Sequence, residues 1–223
     1  MPRVLEEIET TGVSIVTLGD FNPSIFQPLW LSSNDLMPAE EIAEADITLV
    51  SKKISLFEAG GMRIHAEDDR LVISTTDSSC IPSLRDLAYG VLSLLSHTPV
   101  RAIGLNLDST ATVNSADAWN AIGDRLAPKS HWSEILENPG MREVIIDGKR
   151  DKYPHARVSF RVRPAGEKSL VISVNQHYPI DERIDPHQAG SVTEALLVLK
   201  KDWTSFIKYA QQSSREIIVS ALA

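Results

Sequence analysis

The last stretch of the chain constrains the fold most. From Ser191 to about Leu222 the sequence contains neither proline nor glycine. At about 1.5 Å per residue, one straight helix over this range would reach roughly 45 Å, so one of its ends must project or meet another chain. Its apolar residues recur at helical spacing and stack on one face. They are Leu196, Leu199, Trp203, Phe206, Ala210 and Ile217.

The distal end of this helix is apolar on several sides, which is uncomfortable in water. A subunit interface and a frayed tail both explain this composition. Under the first interpretation, the candidate interaction residues on the helix are Trp203, Phe206, Ile217 and Ile218.

The chain length of 223 residues suits one α+β domain that spans residues 1–223. Alternating apolar residues and turn signals such as Gly60-Gly61 predict antiparallel β-meanders, and Leu84–Leu95 predicts a buried central helix. After Asp147-Gly148, a strong turn signal, the meander pattern returns. Both halves, about 1–112 and 113–223, thus consist of a meander followed by a helix, with the long C-terminal helix packed on the sheet.

Charge and composition limit the partners and the compartment. The formal net charge of −8 makes nucleic acid an unfavourable partner, because an acidic surface repels phosphates. The sequence lacks an apolar run of about 20 residues, so no membrane span is expected. The single cysteine, Cys80, precludes an internal disulfide framework, and the N-terminus does not resemble a secretory signal. We expect a cytoplasmic protein.

Motifs for catalysis are missing from the sequence. Phosphate-binding glycine loops, the GxSxG elbow and metal-binding histidine pairs do not occur, so no cofactor and no metal are predicted. Cys80 precedes a predicted helix whose dipole could activate a thiol, with His65 or His97 as a base if the fold brings one near. A small inert apolar side chain is the alternative interpretation of Cys80. The sequence favours a protein that is not an enzyme.

The strand around residue 160 carries a local excess of positive charge. Arg157, Arg161 and Arg163 share a parity, so they point to one face of an extended strand, while Val158 and its apolar neighbours point to the other. Arginines aligned in this way can bind carboxylates or phosphates. A solvated sheet face is the alternative. Stacking aromatics are not interleaved with these arginines, which favours an acidic protein partner over nucleic acid.

Four blocks of sequence carry a resemblance. They are LGDFNPSIFQPLW (Leu18–Trp30), LRDLAYGVLSLLSHTPVRAIGLN (Leu84–Asn106), RLAPKSHW (Arg125–Trp132) and VNQHY (Val174–Tyr178). In this order they resemble a group of uncharacterised bacterial proteins of similar length, and they are similar to a wider, sporadically distributed family of hypothetical proteins. The resemblance implies a bacterial cytoplasmic origin and an α+β fold. It implies no activity and no site residues.

The sequence therefore predicts a non-enzymatic interaction or subunit protein that binds a protein partner or another copy of itself. The sporadic distribution of the similar proteins implies an accessory role, such as defence or a toxin–antitoxin pair. Two alternatives stay open. A cavity between the sheet and the C-terminal helix could bind a small ligand, and Cys80 with a nearby histidine could form a hydrolase.

Overall fold

A computed structural model describes residues 4–150, 153–180 and 192–223. The described residues form a nine-stranded antiparallel sheet and six α-helices, which confirms the α+β class. The strands are β1 (Leu5–Gly19), β2 (Asp46–Val50), β3 (Ile54–Ala59), β4 (Met62–Glu67), β5 (Arg70–Thr75), β6 (Val100–Val113), β7 (Val144–Arg150), β8 (Tyr153–Pro164) and β9 (Ser169–Pro179). The helices are α1 (Pro28–Ser33), α2 (Ala39–Ala43), α3 (Ile81–Leu94), α4 (Ala116–Leu126), α5 (Val192–Lys201) and α6 (Trp203–Leu222).

The two longest strands, β1 and β6, pair at the middle of the sheet. The order across the sheet is β2-β3-β4-β5-β1-β6-β9-β8-β7. In the chain, β1 and β6 are each followed by helices and then by a meander. The last strand of the first meander, β5, pairs with β1, and the last strand of the second, β9, pairs with β6. The strand order is therefore repeated outward from the β1–β6 pair, with one strand fewer on the side of the second half.

Glycine shapes the hairpin between β3 and β4. Gly60 and Gly61 both have positive φ, 54° and 70°. Two consecutive residues with positive φ give the turn whose twist matches antiparallel strands, and glycine enters this region without a Cβ clash. The Gly60-Gly61 turn that the sequence predicts is therefore present.

The two faces of the sheet differ in what covers them. Apolar residues such as Ile15, Leu105 and Ile172 alternate along the strands and are buried on the face that the helices cover, which we call the helix face. Helix α3 packs on β1 and β5, and α6 packs across β1, β6 and β9. The intervening residues, such as Ser14 and Asn106, lie half-buried on the other face, which we call the open face.

The long C-terminal helical stretch is two helices rather than one. α5 ends at Lys201, and α6 begins at Trp203 after a break at Asp202, while residue Ser191 lies outside the described residues. Hydrogen bonding continues across the break, because the Phe206 amide donates to the Asp202 carbonyl at 2.8 Å. α5 packs on α3 and β6, and α6 crosses the sheet, so the predicted long C-terminal helical segment does pack on the sheet. Val192 and Ala221 near its two ends are buried, so the expectation that one end projects is wrong.

The predicted turn at Asp147-Gly148 is also wrong. Strand β7 continues through both residues, with Asp147 paired to Ser159 and Gly148 paired to Val158. Pairing with a long neighbouring strand overrides the local turn preference of the dipeptide. Strand β7 ends at Arg150, and β8 begins at Tyr153.

In the described residues, no helix combines the length and the apolar character that a bilayer crossing demands.

Candidate binding surface on the open face

Four cationic side chains lie together on the open face of the second half. Arg157, Arg161 and Arg163 project from β8, and Lys149 projects from the neighbouring strand β7. All four residues are exposed, whereas Val158 and Val162 between them are buried on the helix face. We call this group the arginine face.

Cross-strand pairing brings like charges together in the arginine face. Arg157 is paired directly with Lys149 on one side and with His177 on the other. Like charges directly opposite each other on a sheet cost roughly 0.2–1 kcal/mol relative to neutral pairs. This arrangement is unfavourable for the free protein, and an external anion would relieve it.

Among the described residues, few carboxylates neutralise this surface. Glu143 approaches Arg161, with Oε2 3.7 Å from Nε, in a geometry that is solvent-exposed and therefore weak. Within the described residues, no carboxylate lies within the 4.0 Å ion-pair distance of Arg157, Arg163 or Lys149. With no such carboxylate among those residues, the guanidinium groups of Arg157 and Arg163 can make bidentate contacts with an external anion.

A row of small polar side chains crosses the open face at its middle. Asn106 on β6 is paired with Ser14 on β1 and with Asn175 on β9. Asn175 Nδ2 donates to Asn106 Oδ1 at 2.5 Å, and the Asn106 amide in turn reaches the Ser14 carbonyl at 3.5 Å. This row separates the arginine face from the open face of the first half.

The open face of the first half carries an acidic cleft of about 760 Å³. Its floor includes Ser14 and Ser74, and Arg63 is the one cationic side chain among the described residues that line it. The carboxylates that line it come from α2, the strand ends and adjoining loops. They are Glu41, Glu44, Asp46, Glu58, Asp77 and Asp108. One face of the sheet thus has a cationic end and an anionic end.

Asp77, at one rim of the acidic cleft, is held ionised by its neighbour. The Ser79 hydroxyl donates to Asp77 Oδ1 at 2.7 Å, and the Ser79 amide donates to the same oxygen at 2.8 Å. These two hydrogen bonds, the hydroxyl first, lower the pKa of Asp77 below its usual value. The carboxylate is therefore charged at neutral pH.

No protein-family model matches the chain, and no curated protein matches it. The functional argument depends on the chemistry of the surfaces that the fold creates. The arginine face is cationic, with a described carboxylate only near Arg161, and the acidic cleft carries the opposite charge on the same side of the sheet.

The four candidate interaction residues of the C-terminal helix differ in how far they are buried. Trp203, Phe206 and Ile218 are at most 5% exposed and pack in the core, so they are not accessible to a partner. Only Ile217 is half-buried, at the edge of a groove. The apolar face that suggested an interface is explained by the sheet that α6 crosses.

The groove beside Ile217 lies where the sequence placed a small-ligand cavity. It has a volume of about 550 Å³ and runs between α6 and the helix face of β7 and β8. Its walls are mostly apolar, with Arg125 and Glu216 at the rim. Tyr209 lies against Phe160 in the wall, and Arg150 stacks on the Tyr209 ring at 3.8 Å. The lining residues from the strands are Val144, Ile146, Phe160 and Val162.

Cys80 lies at the N-cap position of α3, as its place in the sequence predicts, but no base adjoins it. Its Sγ lies 3.9 Å from the Gly60 carbonyl oxygen and 4.0 Å from the Ser79 hydroxyl. Among the described residues no histidine is within hydrogen-bonding distance of this sulfur, and His65 instead faces Glu67, with Nε2 3.2 Å from Oε1. The described residues also contain no group of three or more His, Cys, Asp or Glu side chains that could hold a metal ion. The nucleophile hypothesis gains no support from this geometry.

The alternation of β8 identified the arginine face, but the acidic cleft was missed. Its carboxylates come from α2, β2, β3, β6 and the loop before α3, so only the strand order brings them together. A partial signal existed in Glu40, Glu41 and Glu44, which accumulate just before the acidic start of β2.

Proposed function

We propose that this chain is a non-enzymatic interaction protein, and that the arginine face binds an acidic segment of a partner protein. The observation that supports it most is the set of exposed cations on two adjacent strands, of which only Arg161 has a carboxylate nearby among the described residues. The resemblance to sporadically distributed bacterial proteins favours an accessory system, such as defence or a toxin–antitoxin pair, as the setting.

The geometry of the arginine face suits carboxylates. Alternate residues of a strand lie almost 7 Å apart, so Arg157 and Arg161 are separated by about 13 Å along β8. An extended acidic segment has the same repeat and can pair with each arginine in turn. Each guanidinium can donate two parallel hydrogen bonds to one carboxylate, which makes these contacts stronger than those of a lysine.

A protein partner is favoured over nucleic acid on two counts. The open face carries the acidic cleft beside the arginine face, and a long phosphate backbone laid across the sheet would meet both. Phe160, the aromatic residue nearest the arginines on β8, faces α6 on the opposite side of the sheet, where it cannot stack with bases.

Site-specific crosslinking tests this proposal. A photoreactive amino acid at Ser159, between Arg157 and Arg161, should crosslink one protein in the native cells, to be identified by mass spectrometry. The same group at Val219, exposed on α6, is the control and should not capture that protein. Charge reversal by Arg157→Glu with Arg163→Glu should abolish the crosslink from Ser159.

The outcomes separate the classes of partner. A crosslink to nucleic acid alone would contradict the proposal, as would a protein captured equally from Ser159 and Val219. A protein crosslink that survives charge reversal would assign binding to another surface.

A second candidate function, small-ligand binding, is supported by the groove between α6 and the strands β7 and β8. Its 550 Å³ falls in the range of ligand pockets, and its apolar walls with a charged rim suit an apolar molecule that has one polar end. Native mass spectrometry of the purified chain should then show a bound mass. Ile217→Trp, which fills the groove, should remove it, while Val219→Trp should not.

A further inference from the structure

Strand β7 is an open edge of the sheet. It pairs with β8 on one side, and no other described strand pairs with it. Ile145 and Ile146 near its start are 45% and 62% exposed, which is high for isoleucines in a strand. Natural sheets usually protect such an edge with charges, proline, bulges or a covering segment, because unpaired backbone groups recruit another strand.

The opposite edge of the sheet is shorter and less regular. β2 has five residues against seven in β7, and its register shift falls in its middle, between Ile47 and Leu49, whereas the shift in β7 falls at its end, between Lys149 and Arg150. In the first half, β2 extends the meander by one strand beyond β3, and the second half has no described counterpart of it beyond β7. Within the described part of the chain, no strand occupies the position beyond β7.

We propose that β7 pairs with β7 of a second copy of this chain, antiparallel across a two-fold axis perpendicular to the sheet. Two identical strands are self-complementary only in such an isologous arrangement. This axis maps the open face of one copy onto the open face of the other. Odd-numbered residues of β7 must therefore pair with odd-numbered residues of the second copy, and even-numbered residues with even-numbered ones. Ile145, Asp147 and Lys149 lie on the open face, and Ile146 lies on the helix face.

Charge and the position of Ile146 together select the register. A pairing centred on Gly148 sets Asp147 opposite Lys149 twice, but it leaves Ile146 opposite Arg150. A pairing centred on Asp147 sets two carboxylates against each other, and one centred on Ile145 sets Glu143 against Asp147 of the second copy. Centred on Ile146, the pairing places Glu143 opposite Lys149 of the second copy, and the axis repeats this contact. In this register Ile146 meets itself on the helix face.

The apolar surface around the axis agrees with this register. Ile146 lines the mouth of the groove beside α6, so pairing would bury it next to Val144 and the groove walls of both copies. Glu143, although near Arg161, keeps a side chain that is 44% exposed and can reach across the edge. Seven paired residues make a small interface, and we expect a dissociation constant on the order of 10 µM.

Sedimentation equilibrium at rising concentration tests the dimer. The wild-type chain should pass from monomer to dimer over a range of roughly 1–200 µM. Ile146→Lys should raise the dissociation constant at least about tenfold, because it sets two ammonium groups opposite each other at the axis. Ile47→Lys is the matched control. Ile47 is 54% exposed on the helix face of the other edge strand and pairs with Phe57, as Ile146 pairs with Phe160.

A charge exchange tests the register. Glu143→Lys alone and Lys149→Glu alone should each weaken the dimer by roughly tenfold, since two attractive contacts become repulsive. The double variant restores opposite charges across the axis and should return the dissociation constant to within about twofold of the wild type. Circular dichroism should show that all these variants keep the native fold, because every substituted side chain is exposed.

Three results would overturn the proposal. They are a wild-type chain that stays monomeric over the whole range, an Ile47→Lys variant that weakens the dimer as much as Ile146→Lys, and a double charge variant as weak as the single ones. The test does not depend on the partner of the arginine face, because it measures self-association of the pure chain.

Discussion

At the scale of single residues, the open face holds charges that destabilise the free protein. Lys149 and Arg157 lie directly opposite each other on adjacent strands, and Arg157 also adjoins His177. Such pairs are usually avoided on sheets. An acidic partner of the kind proposed above would relieve this repulsion.

Replacing one of these like charges should stabilise the protein. We expect Lys149→Glu to raise the free energy of unfolding by about 0.5–1 kcal/mol at low salt, since a repulsive cross-strand pair becomes attractive. Urea denaturation at a protein concentration below about 1 µM, where the chain is monomeric, measures the gain with and without added salt, and the gain should shrink as salt screens the charges. Lys208→Glu on α6, whose neighbours three and four residues away are uncharged, is the control. Equal effects of the two substitutions would contradict this interpretation.

The Asp77 carboxylate provides a pH-dependent prediction. Ser79→Ala removes the hydroxyl hydrogen bond, so the pKa of Asp77 should rise toward its usual value, but not fully, because the Ser79 amide still donates. A lowered pKa stabilises the folded state above the unfolded pKa, near 3.8, and this contribution is lost as the pH falls through the folded value. The wild type should therefore exceed the variant in stability at neutral pH, and the difference should vanish in acid.

Carboxyl NMR titration measures the Asp77 pKa directly. Ser78→Ala, next in the chain and without a side-chain hydrogen bond among the described residues, should leave this pKa unchanged. A similar pKa in the Ser79→Ala and wild-type proteins would show that the amide alone holds the carboxylate.

At the scale of elements, α6 shows why an apolar helix need not signal an interface. Its residues Trp203, Phe206 and Ile218 fall on the stripe that crosses the sheet, and Val219 beside them faces outward. The periodicity in the sequence identifies this apolar stripe but not the surface that packs against it. An amphipathic helix has the same spacing of apolar residues whether it packs on a sheet of its own chain or on a second subunit. The sequence pattern alone therefore does not distinguish the two kinds of contact.

Neighbouring residues on α6 should therefore differ sharply in their contribution to stability. Ile218→Ala should lower the free energy of unfolding by about 2–4 kcal/mol, since it opens a cavity in the core. Val219→Ala, at a position 49% exposed, should change it by no more than about 0.5 kcal/mol. Chemical denaturation of both variants measures this contrast, and similar losses would mean that α6 does not pack as described.

The same scale shows what the sequence could predict about local structure. The Gly60-Gly61 turn signal predicted the hairpin of β3 and β4, and the stretch Leu84–Leu95 predicted a buried helix, which the structure has as α3. The Asp147-Gly148 turn and the uninterrupted C-terminal helix failed for one reason. The pairing of β7 with β8 and the packing of α6 on the sheet depend on residues distant in sequence, and a local sequence pattern does not predict such contacts.

At the scale of the whole molecule, the strand order creates the surfaces that single segments do not reveal. Pairing of β1 with β6 places the arginine face and the acidic cleft on one side of one sheet. The sequence predicted two meanders with helices, but not which strands meet at the middle. The cationic end could be predicted because one strand carries most of it, whereas the acidic end draws on five segments of the chain.

The central pair of strands has a consequence for how the chain folds. Val13 on β1 lies beside Leu107 on β6, and Leu5 lies beside Val113, so the middle of the sheet joins segments about a hundred residues apart. Contacts this distant in sequence slow folding, because the loop entropy is lost before they form. At a synthesis rate of roughly 5–20 residues per second, β1 waits several seconds for β6 to leave the ribosome. During that interval one edge of β1 lacks its native partner, and this is the period in which a nascent chain would be most prone to aggregate.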